Sequence, residues 1–180
     1  MMSGLPFGAK ADDAAAPGPA SVVTPAADGA ADGIAAAGTL DNAALLQRLR
    51  HELAHPPFHA LLRPQAVAVD AGTGTVVIRL PYDPSLRGAA GMDFIHGGVI
   101  AALIDMAAHA AVAVQTGRMA PTVDLRIDYL RPAPGADLIA TARVLRLGRA
   151  IARADVEVGG AGTQPYAVGR GTFSTLAPGA

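Results

Sequence analysis

The sequence predicts an α+β domain in which a single antiparallel sheet wraps around one long central helix. The strongest indication is the stretch from His96 to Gly117, HGGVIAALIDMAAHAAVAVQTG, which stays apolar for about five helical turns. A helix that is apolar nearly all round is a buried one, so other elements must surround it. Segments on both sides of it carry the two-residue hydrophobic period of half-buried strands. One sheet curled around one helix satisfies both patterns.

The chain has 180 residues, a formal net charge of -1 and no cysteine. That length suits one domain with a sizeable core. Near-neutral charge without a basic stripe leaves no footprint for nucleic acid and no pull toward anionic membranes. Without cysteine there are no disulfides, thiolate nucleophiles or zinc-cysteine sites. Residues 1–38 are rich in Ala, Gly, Pro and Asp, with Lys10 the only Lys or Arg before Arg48. They cannot bury enough apolar surface to offset their ordering entropy and are expected to form a disordered tail. Residues 39–180 are expected to form the single domain. No apolar signal region precedes a cleavage site, so a cytoplasmic setting is expected. The run over 96–114 approaches the length of a membrane span. Its Ala and Gly content, its central Asp105 and His109 and its lack of a basic flank favour a core helix and no membrane.

Taken in order, Asp41 is a helix N-cap, and Leu45, Leu46, Leu49 and Leu53 make one stripe of a helix over 41–55 that Pro56 and Pro57 end. A short turn over 58–62 follows. Gln65 to Asp70 and Thr75 to Leu80 read as strands around the turn Ala71-Gly72-Thr73-Gly74. A loop with Pro81, Pro84, Gly88 and Gly91 enters the long helix, which Gly117 stops. Beyond it, Thr122, Asp124, Arg126 and Asp128 alternate with Val123, Leu125, Ile127 and Tyr129. Pro132 and Pro134 end this strand, and Gly135 is expected to turn the chain back. Further strands are expected over 136–147, 150–158 and 164–175.

Asp105 is the residue whose position asks for an explanation. A carboxylate in so apolar a helix costs free energy unless it is paired, hydrogen-bonded or open to a pocket, and chemistry is one reason to keep it. His109, four residues on, shares its helix face. It either tunes or orients the carboxylate, merely satisfies it, or completes half of a metal site; no third ligand with motif spacing stands out, so no metal is expected. At the helix start, the first N–H groups lack intrahelical partners and carry partial positive charge. Gly97 and Gly98 there suit an oxyanion site that substrate can approach closely, or else a tightly packed turn. His96 either orients substrate or braces the loop. Arg143, Arg146, Arg149 and Arg153 either meet phosphates or are solvated strand positions.

These residues, in this order, resemble the hotdog fold and specifically the PaaI-like acyl-CoA thioesterases. The likeness covers 65–173. It rests on His96-Gly97-Gly98, Asp105, Thr122-Val123-Asp124-Leu125, Tyr129-Leu130-Arg131-Pro132-Ala133 with Gly135, and Gly169-Arg170-Gly171-Thr172-Phe173. It implies a homodimer, or a homotetramer built from it, with an acyl-CoA substrate, no cofactor and active sites at the subunit interface. By position, Gly97 would supply the N–H that polarises the thioester carbonyl. Asp105 would be the base or nucleophile, and Thr122 would position water. His96, Gly98 and His109 are expected beside substrate. The chain departs from the family at Ala90, where many members carry asparagine, and at His109, where a small or hydroxyl residue is common. A non-catalytic acyl-CoA-binding protein is therefore one alternative. A hotdog hydratase or dehydratase is the other, although such enzymes carry HFP where this chain has HGG.

Overall fold

Asp41 caps helix α1 (Asn42–Ala54), its carboxylate accepting the Ala44 N–H at 2.8 Å. The computed structural model describes residues 41–176, and the tail expected over 1–38 lies outside the described residues. Leu45, Leu49 and Leu53 form the buried face of α1. The chain breaks at the two prolines, and a one-turn helix, α2 (His59–Leu62), follows. Strands β1 (Gln65–Asp70) and β2 (Thr75–Leu80) form the expected antiparallel hairpin.

Helix α3 (Gly97–Thr116) ends where Gly117 adopts φ 68 and returns its N–H to the Ala113 carbonyl at 2.8 Å. The left-handed conformation there is the reason the stop is a glycine. Strands β3 (Thr122–Tyr129), β4 (Leu138–Leu147), β5 (Ile151–Gly159) and β6 (Ala167–Ser174) complete one antiparallel sheet in the order β1-β2-β4-β5-β6-β3. The chain bends at Gly135, but β3 pairs with β6 at one edge and β4 with β2 and β5 in the interior, so the chain crosses the sheet between them. A Cβ at Gly135 would sit 2.2 Å from Oδ1 of the exposed Asp93 side chain and 3.0 Å from the Tyr82 hydroxyl oxygen. The fourth and last strands also start later than alternation suggested. Ala136 N–H is taken by Pro134 O in a turn, and the chain reaches the β5 ladder only at Tyr166.

The concave face of the sheet holds α3. Leu103, Ile104, Ala107, Ala108, Ala111 and Val112 are all fully buried. Burying each large aliphatic side chain stabilises the fold by about 1.5–3 kcal/mol. The alanines let the sheet backbone come close to the helix. Gly169 extends that logic, because a Cβ there would meet Ile104 Cγ2 at 2.5 Å. Helix α3 is long and apolar enough to cross a membrane, yet 61% of that apolar window is buried inside the domain. The sheet and α1 thus cover much of its hydrophobic circumference. Helix α1 closes one end of this core, with Leu49 fully buried and Arg48 donating to the Val114 carbonyl at 3.2 Å.

Candidate active site

The entrance to α3 is built by the loop before it. His96 N–H donates to Leu86 O, and Ile95 N–H to Ala133 O, each at 2.9 Å. Isolated bridges join Arg87 to Ile95 and Phe94 to Pro134. With the backbone so held, His96 is the N-cap, and its Nδ1 accepts the Gly98 N–H at 2.9 Å. A cap of this kind satisfies one of the orphan donors of the first turn. Accepting at Nδ1 places the ring proton of neutral His96 on Nε2. A Cβ on Gly98 would lie 3.0 Å from His96 Nδ1, so that glycine serves the cap.

Gly97 is different. No acceptor among the described residues takes its N–H, while its carbonyl accepts the Tyr129 hydroxyl at 2.8 Å. A Cβ on Gly97 would meet Tyr129 at 3.5 Å, an ordinary contact. Packing within the protomer therefore does not require glycine there. The half-exposed backbone presents a free donor at the positive end of a long helix. The Tyr129 contact itself carried no local sequence signal; it follows from β3 running back past the start of α3.

Two turns along the helix, Asp105 is half-buried, and its Oδ1 accepts the Thr122 hydroxyl at 2.9 Å. Among the described residues Oδ2 has no hydrogen-bond partner. The ladder separates Thr122 from the outer face of Asp124, Arg126 and Asp128: Thr122 pairs with Phe173 and Asp124 with Thr172, so Val123 is an extra residue in a β-bulge. The bulge puts Thr122 on the side of buried Phe173, facing α3.

His109 lies on the same helix face as Asp105, but it does not satisfy the carboxylate. Its Nε2 accepts the N–H of buried Ala120 at 3.4 Å, and its ring stands 6.3 Å from that of Phe173. Burial pushes its pKa below the ordinary imidazole value; Glu52 on α1 and Asp105 act against that shift, and His59 on α2 adds to it. Glu52 and His59 were not legible as neighbours, because only the docking of the first two helices brings them there. Among the described residues no three metal-ligating side chains converge.

The remaining candidates separate by face. Arg143 and Arg153 are exposed on the convex side of the sheet, opposite α3, where Arg143 pairs in register with Asp155. A depression of about 380 Å³ on that same side is lined by Arg126, Asp128, Asp155, Glu157 and Arg170 among others. The Arg170–Asp155 ion pair crosses it with two hydrogen bonds of 2.6 and 2.7 Å. Gly97, Asp105, Thr122 and His109 all sit on or against α3 instead. Gly97 and Asp105 are eight positions apart on a straight helix, about 12 Å at the α-helical rise. One α3 therefore cannot present both groups to a single carbonyl carbon.

Comparison with known proteins bears on the family and the fold. The sequence profile described as the thioesterase superfamily matches residues 92–162. A Halobacterium salinarum protein with a provisional esterase name is 39% identical over 127 residues, 64% of this chain and 83% of that protein. The medium/long-chain acyl-CoA thioesterase YigI of Escherichia coli is 36% identical over 91 residues, which are 42% of this chain and 58% of YigI. The E. coli PaaI protein of the phenylacetic acid degradation operon has the same fold at a TM-score of 0.66 and 23% identity, over 76% of this chain and 96% of PaaI.

Proposed function

This chain belongs to the thioesterase superfamily and has the hotdog fold, and from that membership we propose that it hydrolyses acyl-CoA thioesters to the free acid and coenzyme A. The observation that carries the reading is the Thr122–Asp105 pair. A carboxylate held through one oxygen at 2.9 Å keeps its second oxygen available in an otherwise apolar helix. That oxygen acts on the thioester, as base toward a water or as nucleophile toward the carbonyl carbon. The Gly97 N–H, at the positive end of α3, stabilises the oxyanion that develops on the carbonyl oxygen. Thr122 fixes the carboxylate and lies beside the attacking water.

The distance of about 12 Å along one helix requires that the two groups come from different subunits. Strand β3 is the sheet edge where two copies join; its free side carries unused backbone donors and acceptors, and Val123 and Tyr129 on it are exposed. Gly97 of one protomer then faces Asp105 of the partner subunit. Fully buried Ala108 and Val112 are core, leaving partly exposed Ala101 and Ala102 on α3 to meet the acyl chain.

Thiol release from short, medium, long and aromatic acyl-CoAs tests this directly, with Asp105→Asn run beside the wild type and subunit assembly measured by sedimentation. Release that falls at least about a hundredfold in the variant, with the dimer intact, is the expected result. Tight acyl-CoA binding without thiol release, or hydration of an enoyl-CoA in its place, overturns the reading.

A further inference from the structure

We propose that His109 is a positioning residue: it clamps the segment leading into β3 onto α3, so that the Thr122 hydroxyl meets Asp105. This inference rests on the assignment of Asp105 and Thr122 above and adds to it the device that holds them together.

Two hydrogen bonds join the same two elements. Asp105 Oδ1 and His109 Nε2 lie one turn apart on α3; their partners, Thr122 Oγ1 and Ala120 N–H, lie two residues apart on the incoming strand. Together they close a small ring across the helix and the strand. The bulge at Val123 interrupts the ladder between Thr122 and Asp124, and the two bonds to α3 hold the strand end on its near side.

The intervening residue stiffens the ring. Pro121 has a fixed φ and no N–H of its own, and it biases Ala120 toward extended backbone. Its carbonyl accepts the Ser174 N–H at 2.8 Å, which ties the segment to β6 from the other side. Ala120 is buried, and its N–H has His109 as its acceptor. An alanine, serine or other short side chain at 109 would not reach that donor.

An imidazole can accept at Nε2 only while that nitrogen is unprotonated. The groups facing His109 are Glu52 from α1, His59 from α2, Asp105 from its own helix and the Phe173 ring from β6. Burial among them favours the neutral ring that the clamp requires.

The test compares His109→Leu, which fills the space without an acceptor, with His109→Gln, whose amide oxygen reaches about as far as Nε2. His109→Leu is expected to lower kcat about tenfold with KM within about twofold, the size expected when reacting groups are slightly misplaced. His109→Gln recovers most of that loss. In a Thr122→Ala background His109→Leu costs nothing more, because the two residues act through one geometry. Amide exchange at Ala120 speeds up about fivefold in His109→Leu and not in His109→Gln, a readout that needs no activity. Wild-type kcat in His109→Leu, full additivity with Thr122→Ala, or unchanged exchange at Ala120 overturns the clamp. Undiminished turnover in Asp105→Asn instead removes the assignment on which the catalytic consequence rests, and the exchange measurement still decides whether the clamp exists.

Discussion

Thr122 reaches Asp105 across 2.9 Å only because a bulge reverses the direction in which its side chain would otherwise point. Paired with Phe173, it faces the helix, whereas its alternation partners Asp124, Arg126 and Asp128 face outward. The hydroxyl is what matters in this contact, since the β-branched shape alone supplies no donor. Thr122→Val should therefore keep the fold and lower kcat about ten- to a hundredfold, while Thr122→Ser stays within a few fold of wild type. Steady-state kinetics of the two variants, with their unfolding midpoints, checks this; equal activity in both would remove the hydroxyl from the reaction.

Gly97 and Gly98 are adjacent glycines with different work, and alanine separates them. At Gly98 a Cβ crowds His96 Nδ1 at 3.0 Å and loosens the cap, which should cost about 1 kcal/mol of stability. At Gly97 the Cβ meets only Tyr129 at 3.5 Å, and alanine is the better helix former. Gly97→Ala should therefore be at least as stable as wild type and yet lose thioester hydrolysis more than about tenfold, because the methyl group stands where the carbonyl must approach. Urea unfolding beside kinetics distinguishes the outcomes. A stable, fully active Gly97→Ala enzyme would end the oxyanion role.

Much of this was readable where one local rule governs one element. Asp41 caps α1, Gly117 stops α3, and the hairpin of β1 and β2 falls on the alternating segments around Gly72 and Gly74. The prominence of Asp105 followed from the cost of burying a carboxylate. Relations between elements were hidden. Alternation alone did not show how Thr122 turns toward α3, because a bulge has no composition signal at Val123. Nothing local says that β3 will pair with β6 across the sheet from β4. Glu52 and His59 approach His109 only through helix docking, and His96 became an N-cap although histidine is not among the favoured capping types.

The lowered pKa of His109 makes a statement about stability with a definite sign. In the unfolded chain this imidazole titrates near the ordinary value of 6.5, whereas burial disfavours its charged form in the fold. Above that value both states are neutral and the stability contribution is fully present. As pH falls through 6.5 the unfolded chain takes up the proton first, so stability is lost down to the lower folded value and then levels off. The wild type should therefore lose more stability than His109→Gln between about pH 8 and about pH 5.5 in urea titrations. An equal loss in the two proteins would mean that His109 does not carry this dependence.

Gly169 tests how closely the sheet must approach the helix that carries the site. In β6 it lies opposite Ile127 of β3 and Val156 of β5, and an added Cβ would come within 2.5 Å of Ile104 Cγ2 and 3.1 Å of the Arg126 carbonyl. The first of these neighbours is a fully buried side chain and the second is backbone, so neither can step aside freely. Gly169→Ala should cost about 1–3 kcal/mol, as overpacking of a filled core does. The strain falls between α3 and β3, the two elements that Asp105 and Thr122 bridge. Activity at a temperature where the variant is still folded should therefore drop more than in a variant of similar stability made at Leu49, on the buried face of α1. Matched losses of activity in the two variants would show that the spacing of α3 and β3 has no special hold on the reaction.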